Sequence, residues 1–569
     1  MTQDKILVTS ALPYANGPLH IGHLAGAYLP ADVYVRFKRL QGHNVHFVCG
    51  SDEHGAAITF KAMAEKTTPQ AIVDKYHEIL KQDLINCGIE FDIFSRTSHP
   101  LHVKRSQEFF LNALKNGYIE KHSEKRLHCD KCQRFLPDRY VVGECPSCHA
   151  AGARGDQCEK CGTWYEPEAL INPVCQLCKE NKAGLKDTAH WYLCLDKLEK
   201  PLRAWLETKT WWRKSVLGYA YQPLKAELTS RSITRDLDWG IPVPLDEAKD
   251  KVLYVWFDAP IGYVSASEDW GIQNGKPEAW KDWWEDKDTK LVHFIGKDNI
   301  IFHTVVWPAI IMADGRCVLP HLVAGNEFLN LEGEKISTSR NFAIWASDAV
   351  ATVGVDPLRY YMTRISPENS DSNFTWADFQ ARVNGELADV IGNLVNRCLS
   401  FVNKNYEGQV CPAGANLDES IENRCAEAVR AYTESIDLGL TKAALEHAVE
   451  LARFLNGFMQ EKAPWKVRKE DPLAAHQLLY SLCRGIKTLA LLIYPVCPGI
   501  GESIWKQLGH SKSLLSSSLD ERNGDFPADQ KLNAIIEPIV RKVEDELIQV
   551  EKEKLAQVLA GSAGLQSRT

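Results

Sequence analysis

KILVTSALPYANGPLHIGHL, residues 5–24, is an apolar run, a polar turn and the start of an amphipathic segment in quick succession. Residues 5–10 are rich in apolar and β-branched side chains and predict a buried strand. The Pro, Asn and Gly that follow predict a turn. Pro18 suits the first turn of a helix beginning at about Leu19, where its missing N–H costs nothing. NVHFVCGSDEHG, residues 44–55, predicts a second buried strand ending in a polar loop, and helical patterns follow over 69–88 and 99–117. Strands alternating with helices in this way predict a parallel sheet, hence an α/β domain. A helix starting near Leu19 aims free amides and a partial positive charge above the sheet edge, where a phosphate is favoured. His20 and His23 share one face of that helix, and Gly22 between them lets a ligand approach the backbone. Two imidazoles so placed can donate to a phosphate whose charge builds during a reaction. Taken alone, the pair is weak evidence and reads more readily as surface or core histidines without a role.

The chain has 569 residues, too long for one core, so about three to four domains are expected. Its net charge of −8 excludes a uniformly basic nucleic-acid binder, so a polyanionic partner must meet a local basic patch. No apolar run is long enough to span a membrane; LALLIYPVCPGIG is short and broken by prolines. The start, MTQDKILVTS, lacks the basic-then-apolar layout of a signal peptide, and a cytoplasmic protein is expected.

The pattern changes near residue 118. Of 17 cysteines, eight fall in four CxxC pairs between residues 129 and 178. A disulfide framework does not cluster this way in a large intracellular chain, whereas two Cys two residues apart form half of a tetrahedral thiolate site. Four pairs make two closed Zn(Cys)₄ sites, and the spacing allows three ways of pairing the units. After a Trp-rich stretch, sheet-like segments return at KVLYVWFDAP (251) and KLVHFIGKDNIIFH (290). An insertion therefore splits one α/β domain into halves. From about 380 onward the periodicity is helical, as in KAALEHAVELARFLNGFMQEKAPW, and predicts a helix bundle; the final VLAGSAGLQSRT is expected to fray.

EGEKISTSRN, residues 332–341, supplies a second functional element. A glycine, a lysine, small hydroxyl residues and an arginine make a loop with a cationic tip, and Lys335 there can hold a triphosphate as a point charge. His20-Ile-Gly-His23 after the first strand and Lys335-Ile-Ser-Thr-Ser339 after the last resemble the two signature motifs of class I aminoacyl-tRNA synthetases. ALPYANGPLHIGH, GSDEHG, FLPDRYVVGECPSC, SRSITRDLDWGIPVP, YVWFDAPIGY, FIGKDNIIFH and EKAPWKV resemble the methionyl-tRNA synthetase family in particular, from about residue 5 to 550.

The resemblance implies an ATP-dependent ligase that forms methionyl-adenylate and passes methionine to the terminal adenosine of its tRNA. His20, His23 and Lys335 would be catalytic and would bind ATP, with Gly296 and Asp298 at the ribose and Thr338 in the loop. Asp52 would hold the α-ammonium of methionine. Leu12, Tyr14, Trp256, Ala259, Pro260, Tyr263 and His303 would surround a thioether that offers no strong hydrogen-bonding handle, so selection rests on shape and sulfur–aromatic contact. Asn393, Arg397 and Trp465 would contact the anticodon by stacking and hydrogen bonding, beside the basic RFLNGFMQEKAPWKVRKE. Of the three zinc pairings the resemblance implies the nested one: Cys145, Cys148, Cys158 and Cys161 inside, Cys129, Cys132, Cys175 and Cys178 outside. One or two structural Zn²⁺ ions and Mg²⁺ with ATP follow as cofactors. Methionine tRNA, initiator and elongator, follows as partner, with the chain a monomer. The second lysine usual in the family's loop is replaced by Thr338, which removes a charge that Arg340 would have to supply.

The domains implied are a Rossmann-type catalytic half (1–117), a connective insertion with two zinc knuckles (118–235), the second catalytic half (236–325), a signature-loop linker (326–383) and a helical anticodon-binding domain (384–569). Two rivals follow from the same residues. A leucine-group synthetase needs an editing insert for which 118–235 leaves no room. A zinc-knuckle tRNA-binding protein with a dead site is favoured by Thr338 and opposed by His20, His23, Asp52 and Lys335.

Overall fold

The computed structural model describes residues 3–137, 140–155, 158, 160–161, 163, 165–179, 183–534 and 537–566. Asp138 and Arg139 of the FLPDRY stretch lie outside the described residues. Five parallel strands form the catalytic sheet: β1 (Lys5–Ser10), β2 (Asn44–Ser51), β3 (Ile93–Arg96), β4 (Lys290–Gly296) and β5 (Leu322–Asn326). Their order is β5-β4-β1-β2-β3. Helices such as Leu29–Leu40 and Pro100–Lys115 cover the sheet, which is why Leu7, Val8, Phe47, Val292 and Phe294 are all fully buried. The chain runs outward from β1 through β2 to β3, then returns to the other side of β1 as β4 and β5. The crevice at that reversal, above the carboxyl ends of β1 and β4, is where such sheets bind ligands.

Between β3 and β4 lies a long antiparallel hairpin, Ile119–Cys129 against Gly184–Leu193. It carries a small three-stranded sheet (Val141–Glu144, Ala151–Arg154, Ile171–Cys175); of the eight CxxC cysteines, Cys129 ends the hairpin strand, Cys175 ends the third small strand, and the other six lie in the turns and loops beside them. KVLYVWFDAP is not a sheet strand. Val252 and Leu253 make a two-residue pairing, and Val255–Asp258 turns helical, followed by the helix Ile261–Gln273. A short apolar run has no period of its own, so packing decides; here Val255 and Phe257 enter the core while Trp256 stays half-buried.

Beyond β5 come the signature loop and then helices, among them Asn393–Tyr406, Glu419–Asp437, Thr441–Lys462 and Pro472–Ile493. The expected fraying at the C-terminus is not seen before residue 566: the last helix is Asp545–Gln566, and residues 567–569 lie outside the described residues. Among the described residues no helix is long and apolar enough to cross a membrane.

Candidate active site and metal centres

The helix carrying the two histidines starts later than the sequence predicts. Residues 18–20 are extended, because the Ile21 amide donates to Ile344 O (3.0 Å) and the Ala346 amide to Leu19 O (2.9 Å), with His20 bridged to Trp345. His20 is therefore the N-cap of Ile21–His23, and Pro18 lies outside the helix. This pairing welds the segment after the signature loop to the first motif.

The capping geometry also changes which atoms meet an anion. The Gly22 amide donates to His20 Nδ1 (3.1 Å) and the His20 amide to His23 Nδ1 (3.2 Å), while the His23 and Leu24 amides turn to His20 O. The leading amides are all engaged, so the helix end does not offer the free N–H groups expected of it. Instead each imidazole, with Nδ1 accepting, keeps its proton on Nε2 as an outward donor. Burial lowers the His20 pKa to about 4; burial and the neighbouring His20 hold His23 well below the usual range. Both are neutral donors at pH 7. Their rings stack at 3.8 Å, 25° apart.

Gly22 is required by packing rather than by ligand access. A Cβ there would meet the His20 ring at 2.9 Å and Ile336 Cδ1 at 3.3 Å. The two motifs, more than 300 residues apart in sequence, thus touch at Gly22. Lys335 ends the hairpin Leu329–Leu331/Glu334–Lys335 with its Nζ 5.5 Å from the Phe328 ring centre. Thr338–Arg340 forms an exposed turn beyond it. Burial raises the pKa of Asp298, in the turn after β4, and Lys335 and Lys297 oppose that shift. Asp298 and Lys335 therefore face the same crevice end.

Asp52 follows β2 and is paired through its backbone with 13–15: its amide donates to Pro13 O (2.8 Å) and the Ala15 amide to Asp52 O (2.9 Å). Its carboxylate is 5% exposed, and burial, reinforced by the charge of Asp258, pushes its pKa well above the usual carboxylate range. No cation contacts it among the described residues. A buried acid in that position is stabilised by an incoming ammonium. Nearby, Tyr263 and His303 share a hydrogen bond of 2.9 Å. His303 Nδ1 lies 3.0 Å from Asn299 O, so it donates there, and Nε2 is left to accept the Tyr263 hydroxyl. Burial lowers the His303 pKa to about 4 and keeps it neutral. Trp256 stacks on Phe302 at 3.5 Å, Leu12 packs against Gly262, and Ala259 and Pro260 lead into the helix that bears Tyr263. A cavity of about 330 Å³ opens beside Tyr14 and Trp256. Wide π turns follow His23 (Leu24–Tyr28) and contain His303 (Phe302–Val306), as is frequent at functional sites.

Four residues here were missed in the sequence. Arg235 lies 3.7 Å over the Tyr254 ring on the cavity wall. His54 and His102 both hydrogen-bond the buried Asp258. A single charged residue inside the otherwise apolar YVWFDAPIGY was the signal that could have found Asp258.

The cysteines form two separate groups, Cys129/Cys132/Cys175/Cys178 and Cys145/Cys148/Cys158/Cys161. This is the nested pairing. Sγ–Sγ separations are 3.8 Å for Cys129–Cys178, Cys132–Cys175 and Cys145–Cys161, and 3.7 Å for Cys148–Cys158. A tetrahedron with Zn–S bonds of about 2.3 Å has edges of about 3.8 Å, so both groups fit zinc. The Cys132 amide points at Cys129 Sγ (3.4 Å), and the Ser147 and Cys148 amides at Cys145 Sγ, as thiolate acceptors require.

Far from the crevice, Arg397 lies 5.9 Å over the Trp465 ring, on the helix Asn393–Tyr406 and the turn Pro464–Val467. Asn393, at the start of the same helix, donates to Asp389 (3.2 Å).

Residues 6–399 match the family model for class I tRNA synthetases (M), and residues 407–560 match that for the anticodon binding domain of methionyl tRNA ligase. The chain is 43% identical to a methionine--tRNA ligase of Chloroherpeton thalassium, over 98% of this chain and 82% of that one. It is 45% identical to one from Pyrococcus furiosus, over 88% and 71%. It also superposes on a Mycobacterium tuberculosis methionyl-tRNA synthetase in complex with methionyl-adenylate, with a TM-score of 0.79, 25% identity and coverage of 95% and 100%.

Proposed function

This chain belongs to the methionine–tRNA ligase family of class I synthetases, and from that premise we propose how its own residues carry the two-step reaction. Methionine enters with its ammonium on Asp52 and its thioether among Leu12, Tyr14, Trp256, Ala259, Pro260, Tyr263 and His303. Tyr263 gives its proton to His303, so its hydroxyl is not offered as a donor to a polar side chain. ATP lies across the reversal point with its ribose at Gly296 and Asp298, a carboxylate suited to two hydroxyl donors. Its accompanying Mg²⁺ neutralises triphosphate charge.

A methionine carboxylate oxygen attacks the α-phosphorus, and the bond to pyrophosphate breaks. Negative charge grows on the α-phosphate oxygens, where the Nε2–H groups of His20 and His23 donate. Neutral donors in a buried site strengthen as that charge appears and need no reorganisation. Lys335 holds the departing pyrophosphate, with Thr338 and Arg340 in the same loop. In the second step a terminal adenosine hydroxyl of methionine tRNA, initiator or elongator, attacks the acyl carbon, and AMP leaves. Asn393, Arg397 and Trp465 hold the anticodon, and two structural zinc ions brace the insertion. With all eight thiolates used, neither metal has a position open for chemistry.

The observation that carries this reading is the contact of the two motifs at Gly22, which places two neutral imidazole donors beside the lysine-bearing loop. ATP–pyrophosphate exchange run with methionine, leucine, isoleucine, valine and cysteine tests it: exchange with methionine alone is expected. Equal exchange with leucine would overturn the pocket assignment, and silence with all five would overturn the catalytic one.

A further inference from the structure

A buried polar strut connects the two ends of the amino-acid pocket. Asp258 is 0% exposed and closes the short helix that carries Trp256, directly before Ala259 and Pro260. Its Oδ2 accepts from His54 Nδ1 (2.8 Å) and lies 3.3 Å from His102 Nε2. His54 stands two residues after Asp52, and its amide points at Asp52 Oδ1 (3.4 Å). His102, on Pro100–Lys115, reaches with Nδ1 to Ser265 Oγ (3.0 Å), two residues beyond Tyr263 on the same helix. The route Asp52–His54–Asp258–His102–Ser265 thus runs from the ammonium end of the pocket to the helix bearing its thioether end.

Burying this carboxylate is costly. Its Oδ1 has no hydrogen-bond partner among the described residues, a deficit of about 1–3 kcal/mol that packing an apolar residue would avoid. A buried, incompletely satisfied carboxylate beside a substrate pocket calls for a functional reason.

We propose that Asp258, clamped between His54 and His102, is a positioning residue that fixes the Asp52 carboxylate at the correct distance from the thioether end of the pocket. The proposal rests on the reading that Asp52 holds the methionine ammonium. Asp258 touches neither substrate nor reacting atoms; it acts through His54 on one side and through the helix of Tyr263 on the other. It also tunes Asp52. Despite burial, the imidazoles of His54 and His102 keep Asp258 below the usual carboxylate range, so its charge persists and disfavours charge on an unoccupied Asp52. The other titratable groups facing Asp52 are Glu53, His54 and Tyr263, and Glu53 is already engaged by Arg96 (2.8 Å) and Ser51 (2.7 Å).

The test is pyrophosphate exchange with separate KM values for methionine and ATP, on the full chain. Asp258→Asn and His54→Leu are each expected to raise KM for methionine about tenfold, the equivalent of one lost hydrogen bond to a charged group, with KM for ATP within about twofold. His54→Asn, whose amide N–H can stand in for Nδ1–H, is expected to bring KM back to within about threefold of the parent. Asp258→Asn should also move the acidic limb of kcat/KM for methionine to lower pH, since Asp52 then ionises more readily; a purely structural lesion would not. Asp52→Asn separates the premise from the proposal. If it raises KM for methionine while Asp258→Asn and His54→Leu leave that KM within twofold, or raise both KM values together, the positioning role is overturned alone. If Asp52→Asn leaves KM unchanged, the premise falls and the proposal with it. Should Asp258→Asn fail to fold, the contrast between His54→Leu and His54→Asn decides.

Discussion

Arg359 joins the catalytic sheet to the helical region, and its removal should loosen that junction without touching the chemistry. Its guanidinium is 2% exposed and makes five hydrogen bonds: to Asp32 Oδ2 (2.6 Å), Cys87 O (3.2 Å), Gly88 O (2.9 Å), Pro495 O (2.9 Å) and Val496 O (2.7 Å). Asp32 and residues 87–88 belong to the catalytic half, residues 495–496 to the helical region. Arg359→Met keeps much of the volume and deletes every donor. Asp32 retains Arg36 (2.7 Å), so its charge is not stranded, and the loss of its other partner falls at the low end for a buried pair, about 3 kcal/mol. Gly88 O also keeps Arg36. The carbonyls of Cys87, Pro495 and Val496 lose this donor, at about 1 kcal/mol each before relaxation. The opening free energy of the junction should therefore fall by about 4–6 kcal/mol, which is about 10³–10⁴ in population. Native-state hydrogen exchange of the amides in Val355–Arg364 and Pro472–Ile493 reads this directly. Aminoacylation of tRNA should drop while methionine-dependent pyrophosphate exchange stays near the parent value. An opening energy within about 0.5 kcal/mol of the parent would refute the reasoning, since scatter at neutral sites is of that size.

Three further outcomes are expected. Thr338→Lys restores a charge to the exposed signature-loop turn; KM for ATP should fall several-fold, about 1 kcal/mol for a solvent-screened contact, with methionine affinity in equilibrium dialysis unchanged. Trp465→Ala and Arg397→Gln should each raise KM for tRNA about 10- to 100-fold, the range of a lost base stack, and leave pyrophosphate exchange as it was. Elemental analysis should find two zinc ions per chain and one after Cys145→Ser, because three thiolates do not close that site; two retained ions would contradict the assignment.

Sequence made the skeleton of the site legible where local rules are strong. Residues 5–10 and 44–51 are strands because both faces of a parallel sheet are buried, and unbroken apolar runs leave little choice. The CxxC spacing fixes thiolate pairs, although choosing among three pairings needed the family resemblance. What spacing could not reveal was decided by long-range contact. Leu19 looked helical but is pulled extended by its exchange with residues 344–346. Gly22 looked like an open approach and is filled by the His20 ring and Ile336. YVWFDAP looked like a strand because its apolar run is too short to show a period. His54 and His102 stayed invisible because their meeting with Asp258 joins segments about 150 to 200 residues apart, and nothing local marks either histidine.

The most direct test of the central claim separates binding from chemistry at His20. His20→Asn removes the Nε2–H donor while leaving Asp52 and the thioether pocket in place. Methionine affinity at equilibrium should be unchanged, and single-turnover formation of methionyl-adenylate should slow by about 10²–10³, the effect of deleting one preorganised donor to developing charge. Adenylate formation at the parent rate, or slowing accompanied by an equal loss of methionine affinity, would contradict the account.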